Sequence, residues 1–249
     1  MKKNLFDSIV DNIKTIFYAL IIATIIRSLF FQPFYIPSSS MEPTLLIGDR
    51  IFVSKYAYGY SKHSFPFSPP LFKKRLFKKT PNYGDLVVFK TPADNRTDYI
   101  KRLIGMPGDT LQFINGKIFL NNNEILRNKT KTSTKYKIRC GKSRLEVVSY
   151  EETLPNGKKY IAVYKKQGSY KNSEKFEVPV DHYFFLGDNR DCSSDSRYLS
   201  RVGYVSNTNL VGNAKIIFFS NDTISGSVLK FWNWGNSLRY ERFFNLLKW

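Results

Sequence analysis

The chain has 249 residues, enough to bury a sizeable core as one large β domain or two smaller ones. Hydrophobic residues make up 42%, which is ordinary for a folded protein, and aromatics 16%, rich in Phe and Tyr, which favour strands. Lys+Arg 39 against Asp+Glu 20 gives a formal charge of +19, suited to nucleic acid, to anionic lipid or to a plainly lysine-rich surface. No zinc-ligand spacing, glycine-rich phosphate loop or recognition-helix pattern accompanies that charge, so nucleic acid is not expected as a partner.

Two cysteines, Cys140 and Cys192, are too few for a disulfide framework. One bridge requires that most of the chain be extracytoplasmic, and sequence does not give their separation. His63 and His182 are isolated, which suits loop residues rather than a metal site. Neither a metal nor a cofactor is expected.

The first element in chain order is Thr15 to Phe31, TIFYALIIATIIRSLFF, apolar on every side with one charge at Arg27. At about 1.5 Å per residue it reaches roughly 25 Å, slightly short of a ~30 Å hydrocarbon core. Arg27 is near enough to the end to snorkel to the interface. A cleaved signal peptide would need a small-x-small site, and the nearest candidate, Ser38-Ser39-Ser40, follows Pro37 in a turn with its own chemistry. A soluble core helix would have a polar face. An uncleaved anchor over 15–31 is therefore expected, with 1–14 cytoplasmic because of Lys2, Lys3 and Lys14, and 32–249 extracytoplasmic.

Short strands follow. Gly48-Asp49 feeds Arg50 to Val53, and residues 57–83 read as a Pro-, Ser- and Lys-rich loop. Tyr83-Gly84-Asp85 feeds Leu86 to Lys90. Tyr99 to Ile104 is another strand, and Asn115-Gly116 marks a hairpin between Thr110–Ile114 and Lys117–Leu120. Residues 121–180 alternate polar and apolar residues and read as a β-rich insertion or subdomain. Tyr183 to Leu186 and Asn213 to Phe219 complete a mainly β, antiparallel domain. The aromatic and basic tail from Phe231 to Trp249 suits a membrane interface or a packed terminal helix.

Two residues carry candidate chemistry. Ser40 lies in the turn Pro37-Ser38-Ser39-Ser40-Met41-Glu42-Pro43, and serines near proline ordinarily make turns. Lys101 lies between Ile100 and Leu103-Ile104, where a lysine either protects a strand edge or serves as a desolvated base. A hydroxyl becomes a good nucleophile only when a base takes its proton, and a neutral lysine can do this.

Four blocks in order sharpen that reading: Ile36-Pro37-Ser38-Ser39-Ser40-Met41-Glu42-Pro43-Thr44-Leu45; Tyr83-Gly84-Asp85-Leu86-Val87-Val88-Phe89; Tyr99-Ile100-Lys101-Arg102 with Gly105-Met106-Pro107-Gly108-Asp109; and Gly187-Asp188-Asn189-Arg190-Asp191 through Asp195-Ser196-Arg197-Tyr198. Together they resemble the bacterial type I signal peptidases over residues 13–120 and 183–219. The resemblance implies an antiparallel β catalytic domain behind one transmembrane helix, with Ser40 as nucleophile and Lys101 as general base. It also implies Ser38 in the oxyanion hole, Ser193 orienting the lysine amine, an Asp195–Arg197 ion pair, and Asp188 bracing the same region. Phe34, Ile36, Met41, Leu45, Tyr99 and Ile100 would line pockets for small side chains. Two departures stand out: Ser39 where many members have glycine, and Cys192 where asparagine is common.

The expectation is a membrane-anchored serine endopeptidase that removes signal peptides from exported preproteins after small-x-small sites through an acyl-enzyme. Its partners would be signal peptides of secretory preproteins and membrane phospholipid. It would sit in the cytoplasmic membrane with its catalytic domain on the periplasmic side. A self-cleaving Ser-Lys regulator and a non-catalytic, basic, membrane-tethered binding protein are the alternatives.

Overall fold

The computed structural model describes residues 5–70, 74–130, 137–141, 143–222 and 234–247. Its first element, α1 (Leu5–Leu29), is a single long helix. Ser8–Leu29, 22 residues, is long and apolar enough to cross a membrane, about 33 Å at 1.5 Å per residue. Ile13, Phe17, Leu20 and Ile25 all stand exposed along it, an arrangement that water disfavours and lipid does not. The helix begins earlier and ends sooner than the 15–31 segment expected from hydropathy. Phe31 already belongs to a strand, because Pro33 cannot continue a helix and biases Gln32 towards extended backbone.

The strands in chain order are β1 (Phe31–Tyr35), β2 (Asp49–Ser54), β3 (Leu86–Lys90), β4 (Asp98–Gly105), β5 (Thr110–Ile114), β6 (Lys117–Leu120), β7 (Asn123–Glu124) and β8 (Leu126–Lys129). They continue with β9 (Lys137–Cys140), β10 (Ser143–Thr153), β11 (Lys159–Lys165), β12 (Phe176–Glu177), β13 (His182–Leu186), β14 (Val205–Ser206), β15 (Leu210–Ser220) and β16 (Asn245–Leu246). The main sheet runs β1-β2-β15-β3-β4-β13-β14, with β16 also on β15. Its strand pairs are antiparallel. A second sheet contains β12-β5-β6-β7, and a third contains β11-β10-β8 with β9 on β10.

Strand β3 shows why the main sheet lies at the centre. Side chains alternate across a strand, and here both faces are buried: Leu86 and Val88 pack with Met41 and Ile51, while Val87 and Phe89 pack with Leu103 and Phe185. The region 121–180 is not a separate packing unit. Ile125, Leu154, Tyr160 and Tyr164 share one core with Ile104, Leu111, Phe184 and Leu186, because the second and third sheets close over the far side of β4 and β13. The C-terminal stretch packs back on the domain as a short helix, α2 (Trp234–Ser237), and β16, with Arg242 paired to Asp49 at 2.6 Å. Trp232 and Trp249 lie outside the described residues.

One buried network crosses from the third sheet into the main one. Arg190 and Glu152 are each about 1% exposed and form a two-pronged ion pair with contacts of 2.7 and 3.2 Å. The Tyr160 and Tyr164 hydroxyls donate to the same carboxylate at 2.6 and 2.5 Å, so every oxygen of Glu152 is satisfied. Removing one partner of such a pair strands the other charge in the interior. Glu152→Ala is expected to destabilise the domain by about 3–5 kcal/mol, read from the denaturation midpoint in detergent; an unchanged midpoint contradicts this.

Candidate active site

The turn carrying Ser40 is a single 3-10 turn, Ser39–Met41, entered through extended Ser38 after Pro37. Proline fixes the backbone leading in, and Met41 and Leu45 drop into the core beneath and hold the turn down. The loop after β13 grips it from the other side. The Asn189 backbone N–H donates to the Ser40 carbonyl at 3.1 Å, and its side-chain amide donates to the Ser39 carbonyl at 3.0 Å. Gly187 makes this closeness possible, since a Cβ there would run into the Ser193 side chain and the Ser40 carbonyl oxygen.

Lys101 comes from the middle of β4, where it pairs in register with Val87. Its Nζ lies 2.8 Å from Ser40 Oγ, with a second contact of 2.9 Å to the Ile100 carbonyl, and 5.2 Å from the Tyr99 ring centroid. The side chain is buried. Burial pushes its amine down to about 8, against the pull of the Asp195 and Asp188 carboxylates. Ser38 Oγ lies 3.3 Å from Ser40 Oγ and is open to solvent. The main-sheet fold therefore joins two residues 61 positions apart into a contact between a hydroxyl and a desolvated amine.

Two further buried ion pairs stiffen the surroundings. Asp188 receives Arg102 at 2.7 and 2.6 Å, with the Thr44 hydroxyl donating at 2.5 Å. This ties the segment after the serine turn to β4 and to the loop after β13. Asp195 receives Arg197 at 2.8 and 2.9 Å and the Gly187 N–H at 3.0 Å. Burial alone would raise the Asp195 carboxyl; the Arg197 guanidinium and the Gly187 N–H outweigh it and hold it low. Ser193 is buried close by with its hydroxyl beside the Asp195 carboxylate, which it helps to hold low, and Lys101 Nζ is held by Ser40 and Ile100 instead.

A cleft of about 420 Å³ opens beside Ser40 and Lys101, with Phe34, Ile36, Met41, Tyr99 and Ile100 among its walls. Leu45, expected there, is fully buried in the core below Met41 and supports the floor rather than facing the cleft. Cys192 and Ser194 also line the cleft, and Cys192 is disulfide-bonded to Cys140. Sequence reasoning gave no role to Glu152, Thr44 or Asn189. Asn189 lies within the Gly187-to-Asp191 block, which was a usable signal; nothing local marks Glu152.

Comparison with known proteins gives the family. A family profile described as signal peptidase, peptidase S26, matches residues 9–219. The chain belongs to that family. Signal peptidase I of Rickettsia typhi is 41% identical over 248 residues, covering 92% of this chain and 90% of the relative. Signal peptidase I of Rickettsia prowazekii is 40% identical over 248 residues with the same coverage. A crystal structure of a signal peptidase I from Enterococcus faecalis aligns with a TM-score of 0.33 and 25% identity, covering 54% of this chain and 97% of that one. The family makes this chain a serine peptidase, and neither a self-cleaving regulator nor a non-catalytic binding protein accounts for that membership.

Proposed function

We propose that this chain is a membrane-anchored endopeptidase that removes signal peptides from exported preproteins by a Ser40–Lys101 dyad. The observation that carries the reading is the 2.8 Å contact between a buried amine and the Ser40 hydroxyl. With Lys101 neutral, the Ser40 O–H donates to the nitrogen lone pair. Ser40 Oγ attacks the scissile carbonyl as the amine takes the proton. The Ser38 hydroxyl and the Ser40 backbone N–H donate to the oxyanion. Lys101 then returns the proton to the leaving amine, and a water activated by the same lysine hydrolyses the acyl-enzyme.

The neighbours take supporting parts. Asp188 and the Asp195–Arg197 pair fix the loop that holds the serine turn. Ser193, next to them, would hydrogen-bond the Lys101 amine and orient it. Phe34, Ile36, Met41, Tyr99 and Ile100 form apolar walls that admit only small side chains near the cut, with Leu45 supporting them from below. The substrate's own apolar segment and α1 share one bilayer, whose phospholipid is the second partner, so the peptide arrives beside the cleft.

Basic Lys2, Lys3 and Lys14 favour a cytoplasmic N-terminus, which puts the catalytic domain on the periplasmic side of the cytoplasmic membrane. The Cys140–Cys192 bridge supports this, because disulfides persist in oxidising compartments. Residues 40–249 should resist added protease in sealed inverted vesicles; digestion there contradicts the orientation.

Ser40→Ala and Lys101→Ala are each expected to abolish cleavage of a preprotein in detergent while leaving the circular dichroism spectrum unchanged. In the unaltered chain, kcat/KM should rise with pH through about 8 as the amine loses its proton. Turnover retained by either folded variant contradicts the dyad.

A further inference from the structure

The Cys140–Cys192 disulfide joins two segments 52 residues apart, with their Cα atoms 5.4 Å apart. Cys140 ends β9, a short strand that pairs with β10 at the margin of the third sheet. Cys192 ends the 3-10 turn Arg190–Cys192, directly before Ser193, and lines the cleft into which Ser40 and Lys101 open. One end of the bridge thus belongs to the region 121–180 and the other to the wall of the site.

The strand that the bridge holds touches the nucleophile's own turn. The Asn189 side-chain amide donates to the Ser39 carbonyl at 3.0 Å and reaches the Arg139 carbonyl at 3.4 Å, so one amide spans both segments. On the other flank of Ser40, the buried carboxyl of Glu42 is raised by burial, while a hydrogen bond from the Arg139 backbone N–H opposes this. Arg139 therefore reaches the turn on one side of Ser40 through the Asn189 amide and on the other through its own backbone at Glu42, and its neighbour in sequence is the bridged Cys140. Apart from the bridge, β9 is held by its backbone pairing with β10 and by a half-exposed Arg139–Asp222 ion pair at 3.9 Å. Without the bridge, a four-residue marginal strand would have to hold Arg139 in place through weak contacts alone.

We propose that Cys140 and Cys192 are positioning residues: their disulfide pins β9 across the Ser39–Met41 turn and fixes the cleft wall at Cys192–Ser194, so that full turnover requires the oxidised form. This rests on the reading of Ser40 and Lys101 as the reacting pair. Reduction by a dithiol proceeds by attack of its thiolate on one sulfur and cleavage of the S–S bond to a mixed disulfide. The reductant's second thiolate then closes its own ring disulfide. Two electrons and two protons pass to the protein, leaving two thiols. The consequence for the cell is a protease that stays slow until its domain has reached an oxidising compartment.

The test uses the full chain in detergent micelles with a synthetic preprotein peptide. The oxidised chain is compared with the same chain reduced by dithiothreitol, two free thiols having been confirmed with a thiol reagent, and with Cys140→Ser/Cys192→Ser. Reduction should lower kcat by at least about tenfold while KM for the peptide changes little, because misplaced reacting groups cost rate more than binding. The rise of kcat/KM with pH should also move to higher pH as water gains access to Lys101, and reoxidation should restore the original rate. Circular dichroism and the melting temperature report whether the reduced chain is folded at the assay temperature. If the double variant does not fold, the reversible reduction of the unaltered chain carries the test. A folded, fully reduced chain with unchanged kcat and pH profile overturns the proposal, as does a loss that only tracks the melted fraction. Ser40→Ala in the oxidised form reads the underlying assignment separately: activity there overturns the dyad, whereas inactivity there with harmless reduction overturns only the role of the bridge.

Discussion

An amine withdrawn from water and set against a hydroxyl is the constraint on which this site depends. A lysine in water is charged and useless as a base near neutral pH. Lys101 is brought into range by burial on β4, whose Leu103 and Ile104 enter the core. The arrangement is self-limiting. On the proposed dyad, any movement that lets water reach Nζ favours the charged amine again, and any movement that separates it from Ser40 Oγ takes the proposed base away from the hydroxyl. Rigidity around these two atoms is therefore a chemical requirement.

The structure meets that requirement with charge as well as apolar packing. Arg102–Asp188, Asp195–Arg197 and Glu152–Arg190 are all buried ion pairs, and all converge on the loop between Gly187 and Arg197. Buried pairs are a weak source of stability, since desolvation offsets most of their attraction, but their geometry is demanding. Here they fix the directions of a loop that has little apolar material of its own. That loop in turn holds the serine turn through Asn189 and leaves room for it through Gly187. The region 121–180 takes part, with Glu152 satisfying Arg190 from below and Cys140 reaching Cys192 from the side.

Much of this was legible in the sequence where the signal is local. Strands such as Leu86–Lys90 show themselves by composition and by the Gly-Asp turns before them, and the hairpin at Asn115-Gly116 forms where its turn chemistry requires. Ser40 and Lys101 each sit in a recognisable local setting, but spacing alone could not bring them together; only the ordered blocks did. The remainder depends on tertiary contact. Hydropathy put the apolar helix at 15–31, whereas the helix runs back to Leu5 through a mixed stretch whose Asp7, Asp11 and Lys14 interrupt the apolar run, and Pro33 keeps the chain beyond Leu29 extended. Leu45 was expected as a wall residue from the resemblance, yet it is packed in the core with Met41, and only Met41 also borders the cleft. Nothing local marks the Glu152–Arg190 pair, and the two cysteines allowed a bridge without showing that Cys140 and Cys192 come together, since each contact joins a strand of the third sheet to the turn Arg190–Cys192.

The protonation state of Lys101 itself is the most direct test. Lysine labelled with carbon-13 at Cε, incorporated into the full chain in micelles and assigned by comparison with Lys101→Arg, reports the charge of that one amine as pH is varied. A titration midpoint near 8 is the result this account predicts. A midpoint near the ordinary lysine value of about 10.4 contradicts it.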